Sequence, residues 1–320
     1  MSIESKIFGY VLGDGWIDIN GQMGASGDYA SLYNLSEDAK LLYGENSAKQ
    51  ITKRHTFSEK YGISGVTAQM TFSSETTRHF VELGMPIGKR VQQEHSIPDW
   101  ILNGSKDIKA DFLSGYYAAE GYIPSMQRNL RTPKALTFCF YKSTDYEDNA
   151  KKLCLQFLDL IKDLGFGASS KKSYKTTNGP RVVYTITFSN EEKNFLEELK
   201  TMELSYCIPK EKRRQQLIRY FSLKQIERNK IESIRKFVCS LRESGCSYKE
   251  IHKISGININ SIGSMLSGKN KCHQVRGFPK FDKDFIDTYC STETPLIDEN
   301  LSDITRQATT SQVFWNEDCA

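Results

Sequence analysis

Two short stretches of the chain share an unusual order of apolar, small and acidic positions. The first, IFGYVLGDGWI (7–17), runs apolar and small until it reaches an acid between two glycines. The second, FLSGYYAAEGYI (112–123), has the same order. Each predicts an apolar helix that ends at its acid, Asp14 or Glu120. The glycines after the two acids are 121 − 15 = 106 positions apart, which indicates an internal duplication of about a hundred residues.

The elements after each acid follow in a similar order. Alternating apolar positions predict strands, and Ser or Thr before an apolar repeat of helical period predicts a capped helix. In the first copy the predicted elements are strands in WIDIN (16–20) and DYASLYNLS (28–36), a helix in 36–49, a strand in VTAQMTFS (66–73), and helices in 73–84 and 97–102. In the second copy they are a helix over 106–120, a strand over 135–143, a long helix over 143–165, a hairpin of 168–176 with 181–189 around the turn TNGP, and a helix over 189–202.

The chain from about residue 211 is predicted to be helical. Within it, SYKEIHKI (247–254) starts at a Ser cap, Gly256 begins a turn, and a second helix follows around 260–266. The apolar positions predicted to pack these helices together are Ile251, Ile254, Ile257, Ile262 and Leu266. This order is typical of a helix-turn-helix. We therefore predict four parts: halves at 1–105 and 106–225, a helical DNA-binding domain at 226–290, and a flexible tail at 291–320.

Charge and composition narrow the class of protein. Lys and Arg exceed Asp and Glu only by 43 − 39 = 4, but basic residues are dense in 171–181 and in 210–219. No stretch approaches the roughly 20 apolar residues that span a membrane, so we expect no membrane partner. The eight cysteines are scattered without a C-x-x-C pair. Their scatter favours a reducing, cytoplasmic location and leaves open a nucleoid or an organelle matrix.

An acid at the carboxyl end of an apolar helix calls for a physical reason, since the helix dipole disfavours it there. Gly9 and Gly13 are four residues apart, and Gly115 and Ala119 have the same spacing in the second copy. Small residues at this spacing let two helix backbones approach closely. The packed pair would bring both carboxylates together, where a divalent cation would offset their repulsion. Mg²⁺ is the natural choice, because it is commonly shared between carboxylates and substrate phosphates.

Both stretches resemble the LAGLIDADG motif of homing endonucleases, at residues 7–15 and 113–121. An earlier Asp of that motif is replaced by Leu12 and by Ala118, whereas the penultimate acid is present in both copies. The resemblance covers about residues 1–225. It implies an α+β fold with a pseudo-two-fold duplicated αββαββα core, whose β-strands form a saddle on the DNA major groove. The helix-turn-helix would add a small all-α domain beside this core.

The resemblance also implies roles for individual residues. Asp14 and Glu120 would be catalytic metal ligands, with Gly13 and Ala119 beside them in the metal site. Lys89 and Lys210 would be the basic catalytic residues, one in each half, and Lys212 is a close competitor of Lys210. The candidate DNA-binding residues are Lys53, Arg54, Gln69, Lys142, Lys171, Lys172, Lys175 and Arg181 on the strands, Lys212 and Arg213 in the basic run, and Asn260, Ser261, Ser264 and Lys269 in the helix-turn-helix.

The expected function is site-specific, Mg²⁺-dependent cleavage of double-stranded DNA by a monomeric homing endonuclease of a mobile intron. Its target would be long and weakly palindromic, and Mn²⁺ or Ca²⁺ would be able to substitute for Mg²⁺ in binding. Two alternatives stay open at the level of sequence. One is a transcription regulator with a LAGLIDADG-like core and a helix-turn-helix that binds DNA without cutting it. The other is a maturase that binds intron RNA.

Overall fold

The computed structural model describes residues 2–58, 63–124, 135–176, 179–189, 192–267 and 283–290, without the side chains of 54–58, 63–66, 192 and 193. The chain divides into two compact units, residues 1–217 and 218–320. The predicted tail, 291–320, lies outside the described residues. The predicted boundaries at residues 105 and 225 stay predictions.

The first half of the first unit pairs its strands into an antiparallel sheet of order β1-β2-β4-β3. Its elements are α1 (Ser2–Asp14), β1 (Gly15–Ile17), β2 (Met23–Gly27), α2 (Tyr29–Tyr43), β3 (Thr52–Ser58), β4 (Ile63–Thr71), α3 (Ser74–Glu82), a 3₁₀ turn (Arg90–Gln92) and α4 (Asp99–Leu102).

One predicted strand of this half is wrong, because DYASLYNLS lies at the start of α2. Asp28 caps this helix: its Oδ1 accepts a hydrogen bond from the Ser31 backbone N–H at 3.0 Å. Leu32, Leu35 and Ala39 then follow at helical spacing and are fully buried. The cap and this apolar face outweigh the strand propensity of the tyrosines in the segment.

The second half repeats the first, with a sheet of order β5-β6-β8-β7. This repetition confirms the prediction of a duplicated α+β fold. Its elements are α5 (Lys106–Glu120), β5 (Gly121–Tyr122), β6 (Thr137–Ser143), a 3₁₀ turn (Thr144–Tyr146), α6 (Glu147–Asp163), β7 (Ala168–Lys175), β8 (Arg181–Phe188), α7 (Glu192–Thr201) and α8 (Ile208–Glu243).

Each sheet has one apolar face and one polar face, as the period of two along a strand requires. In the second sheet Phe138, Tyr184 and Ile186 are buried, and the ring of Phe138 lies 5.1 Å from that of Phe157 on α6. The alternate residues, such as Thr137 and Thr185, are only half-buried. The core therefore lies between the sheet and its helix, and the polar face is turned away from it.

The core of this half contains one acid that lacks a described partner. Glu198 on α7 is fully buried, and neither of its carboxyl oxygens has a hydrogen-bond partner among the residues that the structure describes. Burial raises the pKa of this carboxyl from 4.5 to about 8. The folded protein therefore holds a proton on Glu198 at neutral pH that the unfolded chain releases.

Replacing Glu198 by Met should stabilise the protein, and the gain should grow as the pH rises from 4.5 to 8. Below pH 4.5 the acid is protonated in both states and costs nothing through ionisation. At higher pH ionisation favours the unfolded chain, until the folded-state pKa of about 8 is passed. Between acid pH and pH 7 the stability gain of the variant over the wild type should grow by on the order of 3 kcal/mol. Urea unfolding measured at several pH values checks this. The exposed neighbour Glu197, changed to Gln, should leave the pH dependence as it is.

The second unit contains a small helical core. Its shorter helices are α9 (Tyr248–Ser255), α10 (Ile259–Leu266) and α11 (Lys283–Tyr289). Val238 of α8, Ile251 and Ile262 are fully buried together, with Ile257 and Leu266 packed against them. Ile254 was predicted to pack there as well, but its side chain is 56% exposed.

The turn between α9 and α10 is well defined by its caps. Ser247 and Glu250 form a reciprocal capping box at the start of α9, and Gly256 ends the helix in a left-handed conformation with φ 71°. That α9, the turn and α10 bind DNA as a helix-turn-helix stays a prediction. Among the described residues no helix is both long and apolar enough to cross a membrane.

Candidate active site

The two motif helices, α1 and α5, pack against each other along their small residues. A Cβ on Gly9 would overlap the carbonyl oxygen of Phe112, and a Cβ on Gly115 would overlap that of Lys6. Gly13 faces the Cβ of Ala119. The helices therefore meet backbone to backbone, as predicted from the spacing of these small residues.

This packing brings the two acids to the same end of the helix pair. Asp14 is the last residue of α1 and Glu120 the last of α5. A Cβ built on Gly13 would lie 3.4 Å from the Glu120 Cγ. Asp14 is exposed and Glu120 is half-buried, so solvent and ligands reach the pair.

The pKa values of both carboxyl groups are shifted in the same direction. Partial removal from water raises the pKa of Asp14, against the opposing charges of Lys210 and Arg90. The pKa of Glu120 is raised to about 7, first by desolvation and then by the charge of Asp14. The two acids therefore lie within electrostatic reach of each other and of two cations. This is the environment in which a bound cation would favour both ionised forms.

Arg90 holds the carboxyl end of α1. Its guanidinium donates hydrogen bonds to the carbonyl oxygens of Val11 (2.7 Å), Leu12, Gly13 (2.9 Å) and Gly15 (2.6 Å). These carbonyls include groups that a helix end leaves without an intrahelical partner. The positive charge also complements the negative end of the helix dipole.

Lys210 holds the carboxyl end of α5 in the same way. Its ammonium donates to the carbonyl oxygens of Ala118 at 2.7 Å and Ala119 at 2.8 Å, with a longer contact of 3.4 Å to Tyr117. Burial lowers the pKa of Lys210, while the charges of Asp14 and Glu120 act in the opposite direction. Each motif therefore ends at an acid next to a cation that caps its helix.

The structure places Arg90 at the first motif, next to the predicted Lys89. Lys89 is exposed and precedes the 3₁₀ turn that begins at Arg90. Its catalytic role stays a prediction, whereas Arg90 is a candidate that the sequence reasoning missed. The signal was present in the Lys89-Arg90 pair, but the sequence does not tell which of the two side chains turns inward.

Lys142 is a correction among the predicted DNA-binding residues. It is 1% exposed, on the same side of β6 as Phe138 and Phe140. Its ammonium donates to the Arg90 carbonyl at 2.7 Å, lies 2.7 Å from the His95 Nδ1 and also donates to the Gln93 carbonyl. Burial lowers its pKa to about 8. A buried ammonium with three acceptors is not a phosphate contact.

The polar face of the second sheet carries three of the predicted basic residues. Arg181 is paired with Lys175, and Thr185 with Lys171, in the register of β8 and β7. Directly opposite residues share a face, so the three basic residues lie on one side of the sheet. The Lys175 ammonium is 5.2 Å from the centre of the Tyr141 ring.

Tyr141 connects this face with the second motif. A hydrogen bond between its hydroxyl and the Cys139 thiol, at 3.4 Å, together with desolvation raises its pKa to about 12, and the charge of Glu120 adds a smaller part of the shift. The polar face is thus within electrostatic reach of an acid of the site. Sequence reasoning did not single out Tyr141, although its alternation with Phe140 and Lys142 indicated its face.

Lys172 projects from the opposite face to Lys171, and its predicted contact with DNA stays a prediction. Its ammonium lies 2.8 Å from a carboxylate oxygen of Glu147 on α6, and the Tyr174 hydroxyl donates to the same oxygen at 2.9 Å. The strand period of two puts Lys172 and Tyr174 on the helix side.

In the first sheet the predicted residues also divide between two faces. Lys53 is paired with the buried Ala68, which places it on the core side rather than on the polar side. Gln69 is half-buried and lies on the alternate side, opposite Thr52. The side chain of Arg54 lies outside the described residues.

The remaining DNA-binding predictions fall in the helical part of the chain. Lys212 and Arg213 are exposed near the start of α8. Asn260 and Ser261 are exposed on α10, and Ser264 is half-buried. The predicted Lys269 lies outside the described residues. Their contacts with DNA stay predictions.

The donor set suits a hard divalent cation. Among the described residues no group of three or more His, Cys, Asp or Glu side chains could hold a metal, so the protein side chains offer the two carboxylates. The carbonyls of Gly13 and Ala119 accept from Arg90 and Lys210, yet a carbonyl oxygen retains a second lone pair. Mg²⁺ keeps several waters and takes substrate phosphates as ligands, so two carboxylates suffice for it.

Comparison with known proteins finds a family match in the second half of the core. Residues 107–200 match the family model described as a LAGLIDADG-like domain. Over 71% of its length the chain is 28% identical to the tRNA-splicing ligase RtcB of Methanopyrus kandleri. Over 74% it is 25% identical to the RNA polymerase subunit Rpo1N of Methanocaldococcus jannaschii. The chain spans 23% and 19% of the length of these two relatives.

Solved structures with a similar chain trace include two homing endonucleases. I-DmoI in complex with DNA and Mn is 14% identical, with a TM-score of 0.39, over 64% of this chain and 97% of that one. I-WcaI bound to its DNA recognition sequence is 12% identical, with a TM-score of 0.43, over 65% and 85%. Residues 107–200 of this chain are therefore similar to a LAGLIDADG-like domain, and the homing endonucleases I-DmoI and I-WcaI are among the solved structures with which the chain compares.

Proposed function

We propose that this chain is a site-specific endonuclease that cleaves both strands of duplex DNA with Mg²⁺. The observation that carries the proposal is the accessible pair of Asp14 and Glu120 at the joined ends of α1 and α5. Carboxylates at the negative ends of two helices repel each other, and a bound divalent cation would offset this repulsion. Both acids come from one chain, so a monomer suffices.

The names of the curated relatives support no transfer of their activities. One relative is an RNA ligase and the other a polymerase subunit, and each matches through less than a quarter of its length. The two names give different activities, so neither name supports an activity for the part of this chain that matches. A module found within both proteins agrees better with these matches, and the LAGLIDADG-like domain lies within the first unit.

Each group of the site has a task in this proposal. Asp14 and Glu120 supply carboxylate oxygens to the metal. When bound, Mg²⁺ supplies Lewis-acid stabilisation of phosphate charge and a water of lowered pKa. Arg90 and Lys210 fix the helix ends that carry the acids and add positive charge where a phosphate approaches.

The polar face of the second sheet would bind the DNA backbone next to the site. Lys171, Lys175 and Arg181 share that face with hydroxyl residues, which are suited to phosphate and base contacts. The exposed Asn260 and Ser261 of α10 would extend the contact in the second unit.

The direct test is incubation with a library of duplex targets, with Mg²⁺, Mn²⁺ or Ca²⁺ and with EDTA. We expect discrete double-strand cuts with Mg²⁺ and none with EDTA. Binding to duplex DNA without cuts in any metal would instead favour the regulator. Retention of structured RNA in preference to duplex DNA would favour the maturase.

Two adjacent lysines allow a test of the DNA-binding face. Lys171→Ala should weaken DNA binding and reduce the slope of log affinity against log salt concentration by about 1, because one phosphate contact is lost. Lys172→Ala is the matched control, since its ammonium is paired with Glu147 on the other face. Titrations at several salt concentrations measure both slopes. Equal slopes for the two variants would contradict the assignment of faces.

A further inference from the structure

The two segments that carry the capping cations are held by the opposite halves of the first unit. We call residues 90–97 the first cation segment and 203–210 the second. In the first, Asn149 of α6 accepts from the His95 N–H at 3.3 Å and donates to the His95 carbonyl at 2.9 Å. Gln156, also on α6, accepts from the Ile97 N–H at 3.0 Å. Helix α6 of the second half therefore holds the first cation segment, which carries Arg90.

The second cation segment is held in the same way by the first half. Asn34 of α2 donates to the Ser205 carbonyl at 2.8 Å. Ser31 accepts from the Ile208 N–H at 3.0 Å, which satisfies an amide at the start of α8 that the helix itself leaves unpaired. Asp38 accepts from the Tyr206 hydroxyl at 2.6 Å. Helix α2 of the first half therefore holds the second cation segment, which carries Lys210.

The two arrangements are topologically equivalent. α2 follows the second strand of the first half, and α6 follows the second strand of the second half. Each uses side chains on one helix face, at positions 31, 34 and 38 in α2 and at 149 and 156 in α6. Asp38 pairs with the hydroxyl of Tyr206, and the other four pair with backbone groups of a segment more than fifty residues away. Such backbone groups cost free energy if their partner is removed.

We propose that Asn149 and Asn34 are positioning residues for DNA cleavage, acting through Arg90 and Lys210 on the half opposite to their own. The inference rests on the proposed endonuclease function. Arg90 fixes the end of α1 at Asp14, and Lys210 fixes the end of α5 at Glu120. Loosening one segment displaces one cation and one helix end, and small displacements in a site lower rates steeply. The cleavage rate should therefore decrease for one DNA strand and not for the other.

Strand-resolved cleavage of a supercoiled plasmid with one target tests this. Arg90→Met and Lys210→Met serve as references and should slow opposite strands. Asn149→Leu should slow, by about tenfold, the same strand as Arg90→Met. Asn34→Leu should slow the same strand as Lys210→Met. Nicked circles should accumulate in each case, with the nick mapped by primer extension.

Matched controls separate positioning from general damage. Glu37→Gln on α2 and Lys152→Gln on α6 change exposed residues of the same helices and should cut both strands at the wild-type rate. Asn149→Asp keeps the acceptor and loses the donor, so it should restore part of the rate. DNA affinity and the thermal unfolding midpoint are measured for every variant.

The outcomes are distinct. Equal slowing of both strands, or strand loss that follows the half in which the substituted residue lies, overturns the positioning roles while the endonuclease function stands. A wild-type protein that cuts no target in any metal overturns the function and, with it, this inference. The same strand bias in Glu37→Gln or Lys152→Gln would also overturn the positioning roles.

Discussion

Asp14→Asn and Glu120→Gln should each abolish DNA cleavage and leave DNA binding nearly unchanged. Both substitutions keep the size of the side chain but remove the negative charge that a hard cation requires. We expect a loss of at least about a thousandfold in the cleavage rate. Single-turnover cleavage with saturating Mg²⁺ measures the rate, and a gel-shift assay without metal measures binding.

A matched control for these acids lies on the same motif helix. Asp107 is exposed in the first turn of α5, far along the helix from Glu120. Asp107→Asn should cut at close to the wild-type rate. Cleavage by either site variant at that same rate would show that the metal ligands lie elsewhere.

Gly115→Val should unfold the first unit or lower its unfolding free energy by about 4 kcal/mol. A Cβ at this position overlaps the main-chain carbonyl of Lys6. No rotamer of either residue relieves an overlap with backbone, so α1 and α5 would have to separate. Circular dichroism with urea unfolding measures the loss.

Gly167 provides the control, because a Cβ there would meet only the Ser189 side chain, at 3.4 Å from its Cβ and 4.0 Å from its Oγ. Gly167→Ala should therefore change the unfolding free energy by less than about 1 kcal/mol. Similar losses for the two variants would mean that the close approach of α1 and α5 does not limit stability.

The motif helices were predictable because their signal is local. Small residues four apart and an acid before glycine are visible in the sequence, and α5 has the predicted bounds. The start of α2 was missed because Asp28 acts as a cap only when the Ser31 N–H turns toward it. A strand-like segment and a capped helix then compete, and buried leucines decide between them.

The predictions for single basic residues were less successful, and strand parity explains why. Lys142 alternates in step with Phe138 and Phe140, so its burial was readable from the sequence once those phenylalanines were assigned to the core. Lys171 and Lys172 are neighbours and therefore must project from opposite faces. Arg90 differs, because only the path of the chain after Gly88 determines that it, rather than Lys89, reaches α1.

The contact of α1 with α5 through bare backbone has a consequence for how the chain can diverge. Where side chains separate two helices, an exchange of a leucine for a valine changes the distance between the helices. Here carbonyl oxygens and glycines set the distance between α1 and α5, so the backbone itself fixes that distance. We therefore expect substitutions of hydrophobic residues away from this contact to leave the spacing of the two terminal carboxylates unchanged.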